Sequence, residues 1–451
     1  MKTRIEKDSM GTLQVPDNAY YGIYTQRVLG NFQISNQKVP LLFLQNYIKA
    51  KKIYAFVNAK NKKLDKQKAE LIEKACNKLL ASETVFMQYF PIDAIQSGGG
   101  TSTNMMVNEV IANIANEIVG VAKGTYSPIH PNDHVNMSQS SNDTFPGVIK
   151  LTAIMQFVPL LEQLTLVKKT IHKKSVEFLK IKKVGRTHLQ DALSITFGNE
   201  FSAWERTIEK NILFLQQIRK LCLELPFGGT ALGSLQNITP KIRKDIISAL
   251  SKEFGFGFKK SKNYFEGTSS SSDLQKIANA LDSLATDIIK IANDLRLLSS
   301  GPRAGFNEIL LPAVQAGSSI MPGKVNPSIL EALNMVCFKI KGLAATVDIT
   351  TMHAQLQLQA LMPMIGFSLY EMFDLFTNSL HMFWEKCLLE IQINKKETQK
   401  NLDYSFVYAT EYSEILGYAK VAELVKKAYS EDLNLKELLD KELKIKQFLF
   451  S

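Results

Sequence analysis

Residues 269–302 read SSSSDLQKIANALDSLATDIIKIANDLRLLSSGP. Apolar residues recur here at Leu274, Ile277, Ala278, Leu281, Leu284, Ala285, Ile288, Leu295 and Leu298, a helical spacing held for about seven turns. The serines Ser269 to Ser272 offer an N-cap, and Ser299-Ser300-Gly301-Pro302 stops the helix. Similar patterns occupy 147–182, 199–224 and 327–348, with a further one around 355–390. Such lengths exceed the common ~10–14 residues and predict a bundle whose neighbours come in part from other subunits. The fold class expected is mainly α, in three parts. Residues 1–140 form an N-terminal mixed, mostly helical domain, residues 141–394 the long-helix bundle, and residues 395–451 a small lysine-rich helical domain.

Composition narrows the classes. Hydrophobic residues make up 45% of the 451 and charged residues 22%, which is ordinary for a globular protein with a large core. Cys76, Cys222, Cys337 and Cys387 lie far apart with no CxxC pair, which argues against a zinc site or disulfide framework and fits a reducing compartment. The charged N-terminus lacks the apolar core of a signal peptide, and no uninterrupted apolar run approaches the ~18 residues of a membrane helix. A cytoplasmic protein without a membrane partner is expected. The net charge of +11 comes from lysines scattered over helical segments, without stacking aromatics, so solvated helix faces explain it and nucleic acid is not the expected partner.

Four polar blocks interrupt the helical pattern. They are Gly98-Gly99-Gly100-Thr101-Ser102-Thr103-Asn104; His130-Pro131-Asn132-Asp133-His134-Val135-Asn136, running on to Ser140-Ser141-Asn142-Asp143; Gly185-Arg186-Thr187-His188-Leu189-Gln190-Asp191; and Gly317-Ser318-Ser319-Ile320-Met321-Pro322-Gly323-Lys324-Val325-Asn326-Pro327. In the last, Asn326 before Pro327 reads as an N-cap followed by the helical position that suits proline. Lys324 and Asn326 then stand where free N–H groups and the helix dipole favour an anion. Gly317 and Gly323 bracket a segment able to bend tightly or to act as a lid. Ser140, Ser141 and Asn142 sit similarly upstream of Pro146 and the helix after it. Singly, each block has an ordinary reading as a flexible connection, a cap or a turn. Together they would suit a carboxylate-rich ligand. His130 and His134 are four apart, but Pro131 and Asn132 make a helical metal pair implausible, and a loop-stabilising role is expected. No phosphate loop or dinucleotide fingerprint follows the glycines.

The Gly317–Pro327 segment resembles the signature shared by fumarases, aspartate ammonia-lyases, argininosuccinate lyases and adenylosuccinate lyases. The other three blocks match in order and spacing, and the likeness runs from Arg4 to about Tyr418. The opening Asp8-Ser9-Met10-Gly11, Val15-Pro16 and Tyr20-Tyr21-Gly22 is similar to the fumarase/aspartase branch. The resemblance implies a homotetramer, with each active site built from three subunits around a small dicarboxylate. It implies Ser318 as the base that takes the Cβ proton, its alkoxide stabilised by backbone donors of the loop. Lys324 and Asn326 would hold the enediolate-like intermediate. Thr101, Ser140, Ser141 and Ser319 would position the other carboxylate, Thr187 would join the substrate contacts, and Asn142 and His188 would lie near the leaving group. Glu331 would orient His188. No organic cofactor is implied; some aspartases respond to divalent cations, and no site for one is legible here.

The leaving group divides the readings. Thr101-Ser102, Ser300-Gly301-Pro302-Arg303-Ala304-Gly305 with Asn307-Glu308-Ile309, Gln315-Ala316, Asp17-Asn18-Ala19 and Gln355-Leu356-Gln357-Leu358 are aspartase-like, whereas Arg186-Thr187-His188-Leu189-Gln190-Asp191-Ala192 occurs in fumarases. These details favour aspartate ammonia-lyase, with class II fumarase as the alternative. The absence of an Ala-Ser-Gly triplet excludes the electrophilic cofactor of the histidine and phenylalanine ammonia-lyases. Met106, Met137, Gly233-Ser234-Leu235, Met352-His353-Ala354 and Gln359 depart from the family pattern. Those departures motivate a third reading, a non-catalytic paralogue whose tetramer serves binding; the intact set of Ser318, Lys324, Asn326, Thr187, His188 and Asn142 argues against it.

Overall fold

The computed structural model describes residues 2–81 and 87–449 and is dominated by helices. The chain opens with a hairpin, β1 (Thr3–Asp8) and β2 (Gly11–Pro16), followed by α1 (Ile23–Asn31), α2 (Leu41–Lys60), α3 (Lys66–Leu80) and α4 (Thr101–Ile118). The long helices are α5 (Ser141–Glu177), α6 (Phe197–Ile218), α9 (Ser272–Leu298), α10 (Ser328–Met352) and α11 (Met362–Lys386). Between them lie a second hairpin, β3 (Lys182–Thr187) and β4 (Gln190–Thr196), and the shorter helices α7 (Pro240–Phe254) and α8 (Tyr264–Ser269). Four helices close the chain: α12 (Lys395–Tyr404), α13 (Tyr408–Leu416), α14 (Tyr418–Glu431) and α15 (Leu435–Leu449).

Local rules account for these elements. In α9, Leu274, Ile277, Ala278, Leu281, Leu284, Ala285, Ile288, Leu295 and Leu298 are all at most 5% exposed, as their spacing predicts. Burying each leucine or isoleucine of that row contributes roughly 1.5–3 kcal/mol. At the start of α7, Thr239 accepts the Ile242 N–H and Pro240 takes the first turn; Gly255 ends the helix at φ +73°.

Three departures from expectation bear on the polar blocks. Helix α5 begins at Ser141, six residues before 147, so Ser141, Asn142 and Asp143 lie in its first turn and Pro146 lies inside it. Helix α10 begins at Ser328, where Pro327 supplies the carbonyl that accepts from Leu330 and Glu331; Asn326 is therefore not the cap and its side chain serves elsewhere. Residues 355–361, expected as helix, form a turn bridged between Gln355 and Leu358, with Leu356 at φ +52°. The buried Gln359 amide holds that turn through the Thr350 carbonyl and the Leu361 N–H. Helix α5 is long and apolar enough to cross a membrane, but 78% of its most apolar window is buried within the protein.

The described residues fall into two compact units. One comprises Met1–Leu160, Phe214–Ser283 and Lys339–Leu375; the other comprises Leu161–Leu213, Leu284–Phe338 and Phe376–Ser451. All five divisions fall inside long helices. In the first unit an aromatic wall of Phe43, Tyr47, Phe145, Phe367 and Tyr370 joins α2, α5 and α11. In the second, Leu402, Val407, Val421, Leu424 and Leu439 of the terminal helices close a cluster with Val184 of β3.

The N-terminal segment is tied to α4 by Glu109, which is 2% exposed. Its carboxylate accepts the N–H groups of Gly22, Tyr24 and Thr25 at 2.9, 2.9 and 3.1 Å and the Thr25 hydroxyl at 2.7 Å. Burial pushes its pKa up to about 7 against the pull of these donors. A carboxyl that titrates higher folded than unfolded contributes stability below its unfolded value of ~4.3, and that contribution is lost as pH rises toward the folded value. Glu109→Gln should therefore flatten the fall in melting temperature between about pH 4 and pH 7. Thermal unfolding across that range checks it, and a slope identical to wild type would contradict the assignment.

Candidate active site

In the first unit, four of the expected residues converge. Thr101 opens α4 and Ser141 opens α5, and their hydroxyl oxygens lie 2.7 Å apart. Two helix N-termini thus lie beside each other, and the dipoles of helix starts favour a carboxylate. Gly100 makes the approach possible. Its φ is +92°, and a Cβ there would fall 2.1 Å from the Phe145 ring of α5. Ser140 caps α5, its Oγ accepting the Asn142 N–H at 3.2 Å. Asn142 donates its amide to the Ala231 carbonyl at 2.8 Å. Above the glycine turn, the Gly99 N–H bonds to the Ala360 carbonyl, which brings Leu358 against it.

A buried polar layer supports this cluster. The Lys51 ammonium, wholly buried, donates to Asn104 at 2.6 Å and Asn136 at 3.0 Å, and burial holds its pKa well below the lysine range. Tyr47 donates to Asn104 at 3.1 Å and sits 2.8 Å from the Thr144 hydroxyl, which donates to the Ser140 carbonyl. Asp143, also wholly buried, accepts N–H groups from Ser140, Gly228 and Thr230 at 3.1, 2.9 and 2.8 Å. Burial pushes its pKa up to about 7.

In the second unit the Ser318 loop closes on itself. The Gly317 N–H bonds to the Lys324 carbonyl at 2.8 Å, and the Asn326 amide donates to the Gly317 carbonyl at 2.7 Å. A Cβ on Gly317 would fall 2.5 Å from the Lys324 oxygen, so glycine is required by close approach. Within the loop, Ser318 Oγ accepts the N–H groups of Ile320 and Met321 at 3.2 and 3.0 Å. Ser319 lies exposed beside it. Lys324, exposed and with no acceptor among the described residues, lines a cavity of about 550 Å³ with Asn326, Glu331, Arg296, Ser299 and Asn307.

Thr187 and His188 stand at the exposed tip of the β3–β4 hairpin. His188 and Leu189 take φ +55° and +61°, a left-handed pair with neither glycine nor asparagine to ease it. Strand β3 is held by the fully buried Glu308, which pairs with Arg186 at 2.7 Å and Lys183 at 3.6 Å. The His188 ring makes no hydrogen bond among the described residues. Glu331 lies 3.6 Å from Arg296, so its partner within this chain is that arginine.

Sequence reasoning passed over Arg296 and Asp143. Arg296 is one turn before the Ser299-Ser300 stop, and a cation at a helix end beside a polar loop is its only signal. Asp143 follows Asn142 directly and reads as part of a turn; its three donors come partly from residues 228–230, which no local pattern links to it. His130 and His134 form a loop lock, as expected: His130 Nδ1 accepts from Asn132 and Asp133, and His134 Nδ1 from the His130 N–H. Of the departures, Met106 is a wholly buried core residue. Leu235 occupies the left-handed region at φ +64°.

A family model described as a lyase matches residues 11–342. Over 438 residues the chain is 39% identical to a class II fumarate hydratase of Halalkalibacterium halodurans, spanning 97% of this chain and 94% of that one. Over 417 residues it is 39% identical to the aspartate ammonia-lyase of Escherichia coli, spanning 92% and 87%. A class II fumarase from Schistosoma mansoni superimposes with a TM-score of 0.93 at 32% identity, covering 98% of this chain and 96% of that one.

Gly100→Ala should lower stability by more than about 2 kcal/mol, since it combines left-handed strain with a core clash. Thermal unfolding measures this, and a melting temperature near wild type would show that the two helix ends do not depend on that contact. The match over residues 11–342 and relatives 39% identical over nearly the whole chain place it in the aspartase/fumarase superfamily of lyases.

Proposed function

We propose that this chain catalyses the reversible elimination of water from L-malate to give fumarate, with Ser318 as the base that removes the Cβ proton. One observation carries the assignment: two backbone N–H groups point at Ser318 Oγ. A serine hydroxyl is a weak base, and donors fixed on its oxygen favour the alkoxide. The alkoxide takes the Cβ proton, and the electron pair of that bond moves into the neighbouring carboxylate as an enediolate. Lys324 and the second amide hydrogen of Asn326 hold this charge. Its return expels the hydroxyl group, which leaves as water once protonated, and fumarate remains. Thr101, Ser140, Ser141 and Ser319 bind the other carboxylate, with Thr187 among the substrate contacts. Asn142 and His188 face the leaving group, and Glu331 orients His188. The side chains supply all of this chemistry, so no cofactor enters the proposal.

Water is preferred over ammonia because class II fumarate hydratases recur among the similar relatives and a class II fumarase shares the fold. This reverses the preference drawn from Thr101-Ser102 and Gln355–Leu358. Aspartate ammonia-lyase stands as the second reading, favoured by those residues and by an aspartase relative of equal identity.

The proposal includes a homotetramer whose sites draw on three copies. Met335, Phe338, Ile349 and Met352 on α10 are 64%, 57%, 55% and 70% exposed, an apolar stripe that supports cover by another copy. Placing His188 of one copy beside Glu331 of another also accounts for the unpartnered imidazole.

Fumarate formation followed by absorbance, with L-malate and L-aspartate in parallel, tests the leaving group; release from aspartate alone would replace the first reading with the second. Ser318→Ala should assemble normally and lose at least about 10³-fold in turnover, and Lys324→Ala about 10²–10³-fold. Near wild-type turnover in Ser318→Ala would end the assignment of the base. Mixed tetramers of Ser318→Ala and His188→Ala chains should regain part of the activity, and verified mixed tetramers without any rescue would refute site sharing.

A further inference from the structure

The loop that follows α6 is wound tightly for its composition. Thr230, Leu235 and Asn237 hold φ of +61°, +64° and +63°, and none of the three is glycine. Gly228 and Gly233 add two more left-handed positions, where a Cβ would strike Arg243 at 2.5 Å and the Phe265 nitrogen at 2.4 Å. A segment with this much strain persists only where its surroundings over-determine it. Two attachments do so. At one end Asp143 accepts the Gly228 and Thr230 N–H groups. At the other, Lys63 donates to the Asn237 carbonyl and, at 2.8 Å, to the Ser138 hydroxyl. Between these anchors the loop extends one carbonyl, that of Ala231, to the Asn142 amide.

That carbonyl decides which way the Asn142 side chain faces. An oxygen turned toward Ala231 would set two acceptors against each other, so the NH₂ must lie there. The Asn142 oxygen is then turned toward the Gly99 turn, 3.7 Å from where a Gly99 Cβ would stand, and it has no donor among the described residues. It is an unused acceptor in the same turn as the Thr101–Ser141 hydroxyl pair.

We infer that Asp143 is a positioning residue: by clamping the strained 228–237 loop it keeps the Asn142 carbonyl oxygen aimed at the leaving group, as an acceptor for a hydrogen that group donates. This rests on the dicarboxylate elimination proposed above and deepens it. Either leaving group, water or an amine, carries a hydrogen that such an acceptor can hold. The carboxylate-binding hydroxyls of Thr101 and Ser141 are not oriented by this contact, and the Ser140 N–H bonds to Asp143 Oδ1 rather than to the Oδ2 that holds the loop, a bond that the oxygen left in Asp143→Asn can keep. Loss of the clamp should therefore act on the chemical step far more than on dicarboxylate binding.

The test uses the assembled protein. The wild-type rate with malate and with aspartate comes first, and a folded wild type silent with both would fail the parent reading before any variant is compared. With an active wild type, Asp143→Asn should lower kcat by about 10–100-fold, while the inhibition constant of succinate, which lacks a leaving group, changes less than threefold. Lys63→Met releases the other end of the loop from the surface and should shift kcat the same way by about 3–10-fold, again sparing succinate. It keeps the question answerable if Asp143→Asn fails to assemble. Succinate affinity falling in step with kcat in whichever variant assembles would reduce Asp143 and the loop to a structural role. Unchanged kcat in either variant would overturn the inference.

Discussion

A carboxylate cut off from water must be met by donors, and much of the first unit is arranged around meeting one. Asp143 has no exposed surface and takes N–H groups from its own helix start and from a loop about 85 residues further along the chain. Leaving such a charge without donors would cost several kcal/mol. The requirement ties the Ser140–Asn142 turn to residues 228–230, and Asn142 repeats the tie through Ala231. Lys51 poses the converse problem, a buried cation, and Asn104 and Asn136 answer it with carbonyl oxygens. The aromatic wall of Phe43, Phe145 and Tyr370 keeps water out of this layer and so raises the cost of any missing bond.

The Ser318 loop meets a different demand. It has to hold a hydroxyl among free N–H groups without a helix or strand to support it. Contacts within residues 317–326 do this work: the Asn326 amide and the Lys324 carbonyl each bond to Gly317, and Ser318 gathers the two N–H groups behind it. Such a loop can move as a body without surrendering its internal geometry, which suits the base proposed for Ser318, since it would have to meet and release substrate. The β3–β4 hairpin is instead anchored firmly along β3, where Glu308 holds Arg186 and Lys183, and strained at its tip, where His188 and Leu189 are left-handed. A rigid stem carrying a strained, exposed histidine suits the proposed tetramer, in which another copy of the chain receives that side chain.

Legibility followed the range of the interaction. The row from Leu274 to Leu298 predicted α9 because helix burial repeats every three or four residues. The start of α5 was misread at Pro146, since proline looks like a boundary; Ser140, with its own cap bond to Asn142, is the true one. The segment 355–361 carried enough leucine to read as helix. It forms a turn because Gln359 is buried and the Ala360 carbonyl is drawn to Gly99, partners about 9 and 260 residues away.

By itself the sequence determined where the candidates for chemistry stand: four polar blocks, with glycines where backbones approach closely and hydroxyls where helices begin. Those are properties of neighbouring residues, and a chain states them locally. Tertiary structure alone decided that Thr101 and Ser141 share one hydrogen-bonded pair, that Asn142 turns its oxygen toward the glycine turn, and that Glu331 faces Arg296 within one chain. Each of these joins residues 35 or more positions apart. Only the packing of the helices, set by the sum of many apolar contacts, brings such groups together.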